Sequence, residues 1–452
     1  MSFFIYDITF LILFCIFIIT LLYFKRNNTK REGLLFLYKS QFGIGLIKKM
    51  GEKYKKILFF LEYFVVFLGY VSMIIALYFL FQLVYMFFKF PEFIKAVKIP
   101  PIMPLIPYLP SIFKVDFLPP FYFTYWIIVL AITAIVHEFF HGIFAKINNI
   151  KIKSTGFAFL GPFVGAFVEP DENAIKKLKI KNQLSILSAG SFANWIVTVV
   201  FFFLMWLFFL IAFQPSGVIF NSYAFNIVNN SEIQEVIGEK YIEFDGGINL
   251  TEIKINNKTY FVKNLTASEQ VIAFEDSPAL RTSLNGVITE IDNEKIKDYK
   301  DLKTILLKKS AGQNITIKTF FNNTQKVYNI TLTEKAGKPY LGIVLIKTDG
   351  FGFFSKIRNK FMFFKDPNTY YTAKKCEDLT IFTYNLIWWI VFVNLSVAII
   401  NMLPLGIFDG GRIFYLSVRR FLSEKMAKQI FAFITYLIIF VFVFLTIRWF
   451  FL

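Results

Sequence analysis

Apolar residues along this chain gather in runs of seventeen or more positions, about the length of helix that crosses a bilayer. Six such runs stand out, at roughly 8–24, 63–88, 121–145, 185–213, 379–403 and 430–447. Each is predicted to be a transmembrane helix. Between the second and third lies "KIPPIMPLIPYLPSIFKVDFLPP". Proline lacks a backbone donor and interrupts helices, so this stretch reads as an interfacial loop. Residues 214–350 are different, being polar and strand-like. The expected fold class is an α-helical polytopic membrane protein with about six transmembrane helices and a small β-rich extracytoplasmic domain.

Composition agrees, with 56% hydrophobic residues and 61 phenylalanines in 452, where a soluble domain averages about half apolar and does not concentrate it in runs. A net charge of +18 would suit nucleic acid, but its placement points to the lipid bilayer. The segments 25–56, 146–182 and 404–428 carry ten, seven and five Lys/Arg, against four in 89–120. The positive-inside rule then puts the first three in the cytoplasm of a cell-membrane protein and both termini outside. Residues 214–350 fall outside by the same rule. Their seven N-x-S/T sequons, at Asn229, Asn249, Asn257, Asn264, Asn314, Asn322 and Asn329, suit an extracytoplasmic surface. The N-terminus has no basic lead or small-residue cleavage site, and Asp7 interrupts its start, so it reads as a retained helix. Cys15 and Cys376 lie in unlike surroundings, which argues against a disulfide and against a thiolate zinc cluster. No residue pattern marks an oligomeric state.

The chain has two histidines, and both sit in "AIVHEFFHGIF", in the middle of an apolar run. Ionisable groups are costly in lipid and usually mark function there. His137 and His141 are four apart, so on a helix they share a face, one turn from each other. That spacing lets two imidazoles bind one zinc ion at about 2.0–2.1 Å. Glu138, beside the first, is placed to take a proton from a water, as H-E-x-x-H does in peptide hydrolysis. Catalytic zinc commonly has a third protein ligand. Asp409 in "NMLPLGIFDGG" competes for that place with Glu169 and Glu172.

"HEFFH" together with the distant "NMLPLGIFDGG" resembles the site-2 protease family of intramembrane zinc metalloproteases, whose second signature is N-x-x-P-x-x-x-x-D-G. Asn401, Pro404, Asp409 and Gly410 match it. The resemblance implies zinc on His137, His141 and Asp409, with Glu138 as the catalytic glutamate, and so selects Asp409 over its rivals. "GAFVEPDE" (165–172) resembles the segment after the catalytic helix in archaeal-type members. "SAGSFANW" (188–195) resembles A-G-P-x-x-N, with Ser191 in place of proline, and Phe408 stands where leucine is usual. Asn194 and Asn401 are implied to support the substrate or the oxyanion. The resemblance is carried by about 121–213 and 380–412, which makes the first two helices and the last additions to a core.

"GFAFLGPFVGAFV" (156–168) reads as a hairpin at the membrane, whose free edge would hold an extended peptide. "DSPALRTSLNGVITEIDNEKIKDYKDLKTIL" with "PYLGI" resembles the PDZ domains inserted in some site-2 proteases, Asn285-Gly286 replacing Gly-Asp. That implies a PDZ-like domain over about 265–347 with a possible peptide ligand. The expected organisation is membrane helices and a basic loop over 1–120, the first part of the catalytic core over 121–213, and the outer region over 214–350. A juxtamembrane segment and the second part of the core follow over 351–412, then a last helix over 413–452. The expected activity is intramembrane zinc endopeptidase on transmembrane protein substrates, in regulated release of membrane-anchored factors. The competing reading is a membrane metal-ion carrier that uses the same cluster.

Overall fold

The computed structural model describes residues 3–451, leaving out 27–28, 34, 92–93, 96–99, 114, 116–117, 162, 243–247, 264–269, 322–323 and 346–363. Pro162 and the sequon residues Asn264 and Asn322 therefore lie outside the described residues. The chain divides into two compact units, one of residues 1–207 with 382–452 and one of residues 208–381.

Among the described residues, six helices are long and apolar enough to cross a membrane. They are α1 (Phe3–Phe24), α3 (Lys55–Lys89), α4 (Phe123–Ile147), α5 (Ile180–Ala212), α6 (Glu377–Ile400) and α8 (Glu424–Phe451). Two more helices, α2 (Ile44–Lys53) and α7 (Asp409–Arg419), precede α3 and α8. Each predicted run is found, with α1, α3, α5 and α8 extended at their starts. At 35 residues and 1.5 Å per residue, α3 is about 52 Å long, more than the apolar thickness of a bilayer. The proline-rich loop forms a single helical turn at Leu109–Ile112.

The buried charge of the first unit is paired, because an unpaired one would carry the full cost of its desolvation. Glu62 of α3 is fully buried. It faces Lys181 Nζ at 2.7 Å and accepts from Asn148 Nδ2 at 2.8 Å and from Ser185 Oγ at 3.2 Å. This joins α3 to the start of α5 and to the residue that ends α4. α2 turns Ile44 and Ile47 into a cluster with Ile143, Phe144 and Ile147 of α4.

The predicted hairpin is present as β3 (Ile152–Leu160) and β4 (Phe163–Pro170), with Gly161 in the left-handed region at φ +59°. It belongs to a larger sheet. The basic loop after α1 contributes β1 (Thr29–Glu32) and β2 (Leu35–Ser40), giving the antiparallel order β1-β2-β3-β4. β4 is thus an edge strand. The short apolar run from Leu35 to Tyr38 lies among basic neighbours in the sequence.

The second unit contains two main sheets. Five strands run in the order Phe225–Asn229, Gln270–Glu275, Lys258–Val262, Ile248–Ile255 and Glu235–Ile242. In the other sheet Val287–Ile291 lies between Asn314–Phe321 and Phe213–Val218, and the latter also pairs with Thr369–Ala373. Val218, Leu250, Phe261, Ile288 and Ile317 share one core. The described residues between 265 and 347 contribute strands to both main sheets, and both sheets also use strands outside that range.

Candidate metal centre

His137 and His141 lie on α4 one turn apart, and their Nε2 atoms approach to 3.1 Å. Asp409 arrives from a position 268 residues away in sequence. α6 ends at Ile400, and Pro404 sits in a compact loop whose backbone closes on itself through Leu405 N to Leu403 O and Gly410 N to Asn401 O. A side chain at Gly410 would overlap the Met402 backbone, and one at Gly411 the Leu405 carbonyl. Both glycines are needed for this close approach. The loop delivers Asp409 as the first residue of α7, with Oδ2 at 3.1 Å from His141 Nε2 and 3.4 Å from His137 Nε2.

Three donors on a tetrahedral ion with bonds of about 2.0–2.1 Å stand roughly 3.3 Å apart, so the observed spacing fits a zinc-sized cation. Among the described residues this is the one group of His, Cys, Asp and Glu side chains close enough to hold a metal ion. The outer nitrogens fit the same role. His141 Nδ1 donates to Ile186 O at 2.7 Å. Asn194 Nδ2 lies 3.0 Å from His137 Nδ1, and the amide's oxygen is buried without a partner. Turned toward Nδ1–H, that oxygen accepts, and both imidazoles then keep an Nε2 lone pair for the ion. Asn401 Nδ2 donates to Asp409 Oδ2 at 2.7 Å. The two asparagines expected to face substrate or oxyanion are therefore committed to ligand side chains.

Glu138 stands outside the ligand group. Its Oε2 accepts from Val168 N of β4 at 3.0 Å, and it lines a cavity of about 770 Å³ with His137, His141, Asp409 and Asn401. Glu169 is turned away from the histidines, its Oε2 held by Lys39 Nζ at 2.7 Å and Ser154 Oγ at 2.5 Å. The Lys39 hydrogen bond, with help from Ser154, keeps its carboxyl below the ordinary glutamate value. Glu172 lines the cavity and pairs with Arg412 at 3.4 Å. Of the three carboxylates in competition, Asp409 alone joins the histidines.

The sequence reading missed Gly190. A Cβ on this residue of α5 would overlap Nε2 of both histidines. The available signal was a glycine in the interior of an apolar helix, where alanine is otherwise better by about 1 kcal/mol.

A protein of Methanocaldococcus jannaschii described as uncharacterized is 49% identical over 73 residues, which is 16% of this chain and 20% of that relative. A family model described as Peptidase family M50 matches residues 125–445. The matched range takes in most of α8 and leaves out α1, α2 and α3. Spanning more than half the chain and both signatures, that match makes this protein a member of peptidase family M50, the site-2 protease family of membrane-embedded metalloproteases.

Proposed function

We propose that this chain is a zinc endopeptidase that hydrolyses peptide bonds within transmembrane segments of other membrane proteins. The observation that carries the reading is three ligand atoms 3.1–3.4 Å apart, with Glu138 next to the first of them. His137, His141 and Asp409 would hold the ion, a donor set that leaves a coordination position open. When bound, zinc supplies Lewis acidity and lowers the pKa of water. Glu138 takes the proton of the attacking water and passes it to the nitrogen that leaves as an amine. Its Oε2 is engaged by Val168 N, which leaves Oε1 to carry the proton. Asn194, Asn401 and the Ile186 carbonyl act as positioning groups on the ligands.

Glu138 borders the edge of β4, which supports binding of an extended substrate by strand addition. The charge alternation supports a cell-membrane topology with both termini and residues 214–350 outside the cytoplasm, and the site nearer the inner face. The PDZ resemblance over about 265–347 supports a peptide-binding or gating role for the outer unit. Regulated release of membrane-anchored factors fits these parts together. Peptidase family membership does not favour a metal carrier.

Glu138→Gln separates these readings. It keeps the side-chain shape and all three ligands, so metal content should stay near one ion per chain. General-base catalysis is worth about 10²–10⁴-fold, and cleavage of a helical test substrate in detergent should fall by at least that. Undiminished cleavage by the variant would remove Glu138 from the mechanism.

A further inference from the structure

A second cavity, of about 420 Å³, lies beside the metal centre. One wall is α6. Trp389, Val393, Val397 and Ile400 line it and recur at intervals of three or four, so they form one stripe of that helix. The opposite wall comes from the proline-rich loop, through residues such as Leu105 and Phe121. The loop precedes the family-matched segment, which begins at residue 125.

This wall is fixed in place. Its prolines offer no N–H for internal ladders, and other side chains hold its carbonyls instead. Trp126 Nε1 donates to Leu105 O at 2.8 Å, and Trp389 Nε1 donates to Pro120 O at 3.2 Å. Tyr108 N donates to Phe121 O at 2.7 Å, while its hydroxyl donates to Asp7. Phe408 and Asn401 line the cavity as well. Asn401 also lines the cavity that holds His137, His141 and Glu138, and it donates to Asp409. One residue is thus shared between the apolar space and the ligand-bearing one.

We infer that the apolar cavity is a side-chain subsite. It receives a bulky apolar residue next to the scissile bond of the substrate and selects leucine- or phenylalanine-like residues over alanine there. The inference rests on the peptidase reading above. Concave, mostly apolar walls with a polar group at one end are the usual form of such a pocket. Because about half of the lining residues precede the matched segment, the chain's own N-terminal part shares in setting this selectivity. A lipid acyl chain would fill the same volume, but the position next to the ligand cavity, with Asn401 lining both, favours the substrate.

Two measurements test it. In full-length Glu138→Gln protein, single-span peptides carrying benzoylphenylalanine at successive positions are photolysed. Positions flanking the cleavage site should crosslink to residues 103–121 or 389–400. In active protein, Val397→Phe fills the cavity and Leu105→Ala enlarges it, with metal content measured in parallel. The kcat/KM ratio for a phenylalanine over an alanine substrate should fall about 10-fold or more in Val397→Phe and rise in Leu105→Ala, since pocket shape discriminates side chains by such factors. If Val397→Phe loses its metal, Leu105→Ala decides. No crosslink from any position, or an unchanged ratio in metal-replete variants, overturns the subsite and leaves a lipid-filled space. Wild-type protein that cleaves nothing would defeat the peptidase reading, and the crosslinks would still report on the cavity.

Discussion

Asp7 on the first helix caps the helix that carries both histidines: its carboxylate accepts from Phe123 N at 2.7 Å and Thr124 N at 2.8 Å. α4 has no side-chain cap of its own, Tyr122 occupying that position. Asp7 is buried, and Ile18 is the other residue of α1 in that state. A carboxylate at a helix N-terminus satisfies free N–H groups and meets the positive end of the helix dipole. Asp7→Ala should cost about 0.5–2 kcal/mol, and Asp7→Asn less, because an amide oxygen still accepts. Reversible unfolding in mixed micelles measures both. An Ala variant as stable as wild type would show that the cap contributes nothing.

Gly190→Ala should act against its local propensity. Alanine in a helix interior normally stabilises it by about 1 kcal/mol, yet here the methyl group would overlap both Nε2 atoms. The expected outcome is an intact helical fold by circular dichroism with bound metal and cleavage largely lost. Full metal occupancy in this variant would mean that α5 can move away from α4 at little cost.

Asp409→Asn and Glu169→Gln should part company. The first removes a charged donor 3.1 Å from His141 Nε2 and should lower metal content and abolish cleavage. The second breaks a tie to Lys39 and Ser154 on the sheet and should keep the metal. Metal analysis of the two purified proteins decides, and the reverse pattern would move the third ligand to Glu169.

Cys376 offers a test of sidedness in the unaltered chain. It is exposed, whereas Cys15 is part-buried within α1. With residues 214–350 outside the cytoplasm, a membrane-impermeant thiol reagent should label intact cells, and Cys376→Ser should abolish the label. Labelling that needs lysis would invert the topology.

Local pattern was enough for whatever depends on neighbours in sequence. The six spans follow from the length of their apolar runs, and the shared face of His137 and His141 from a spacing of four on a 3.6-residue period. The hairpin over 156–168 follows from its strand-forming residues and its central glycine. β1 and β2 are not marked in the same way, because residues 29–40 carry no apolar/polar alternation and basic residues flank their short apolar run.

What tertiary structure decided are the meetings between distant elements. Periodicity fixes which way a residue faces on its own helix and says nothing about what faces it. Depth along the helices favours Asp409 only modestly over Glu169 and Glu172, and family resemblance ranks it higher; loop closure around Gly410 and Gly411 is what carries it to the histidines. The same holds for Asn194 against His137, Asn401 against Asp409 and Asp7 at the start of α4. In each case one polar side chain must answer another inside an apolar interior, where an unanswered group is costly. The sequence shows that such groups are present. Their partners are chosen by packing.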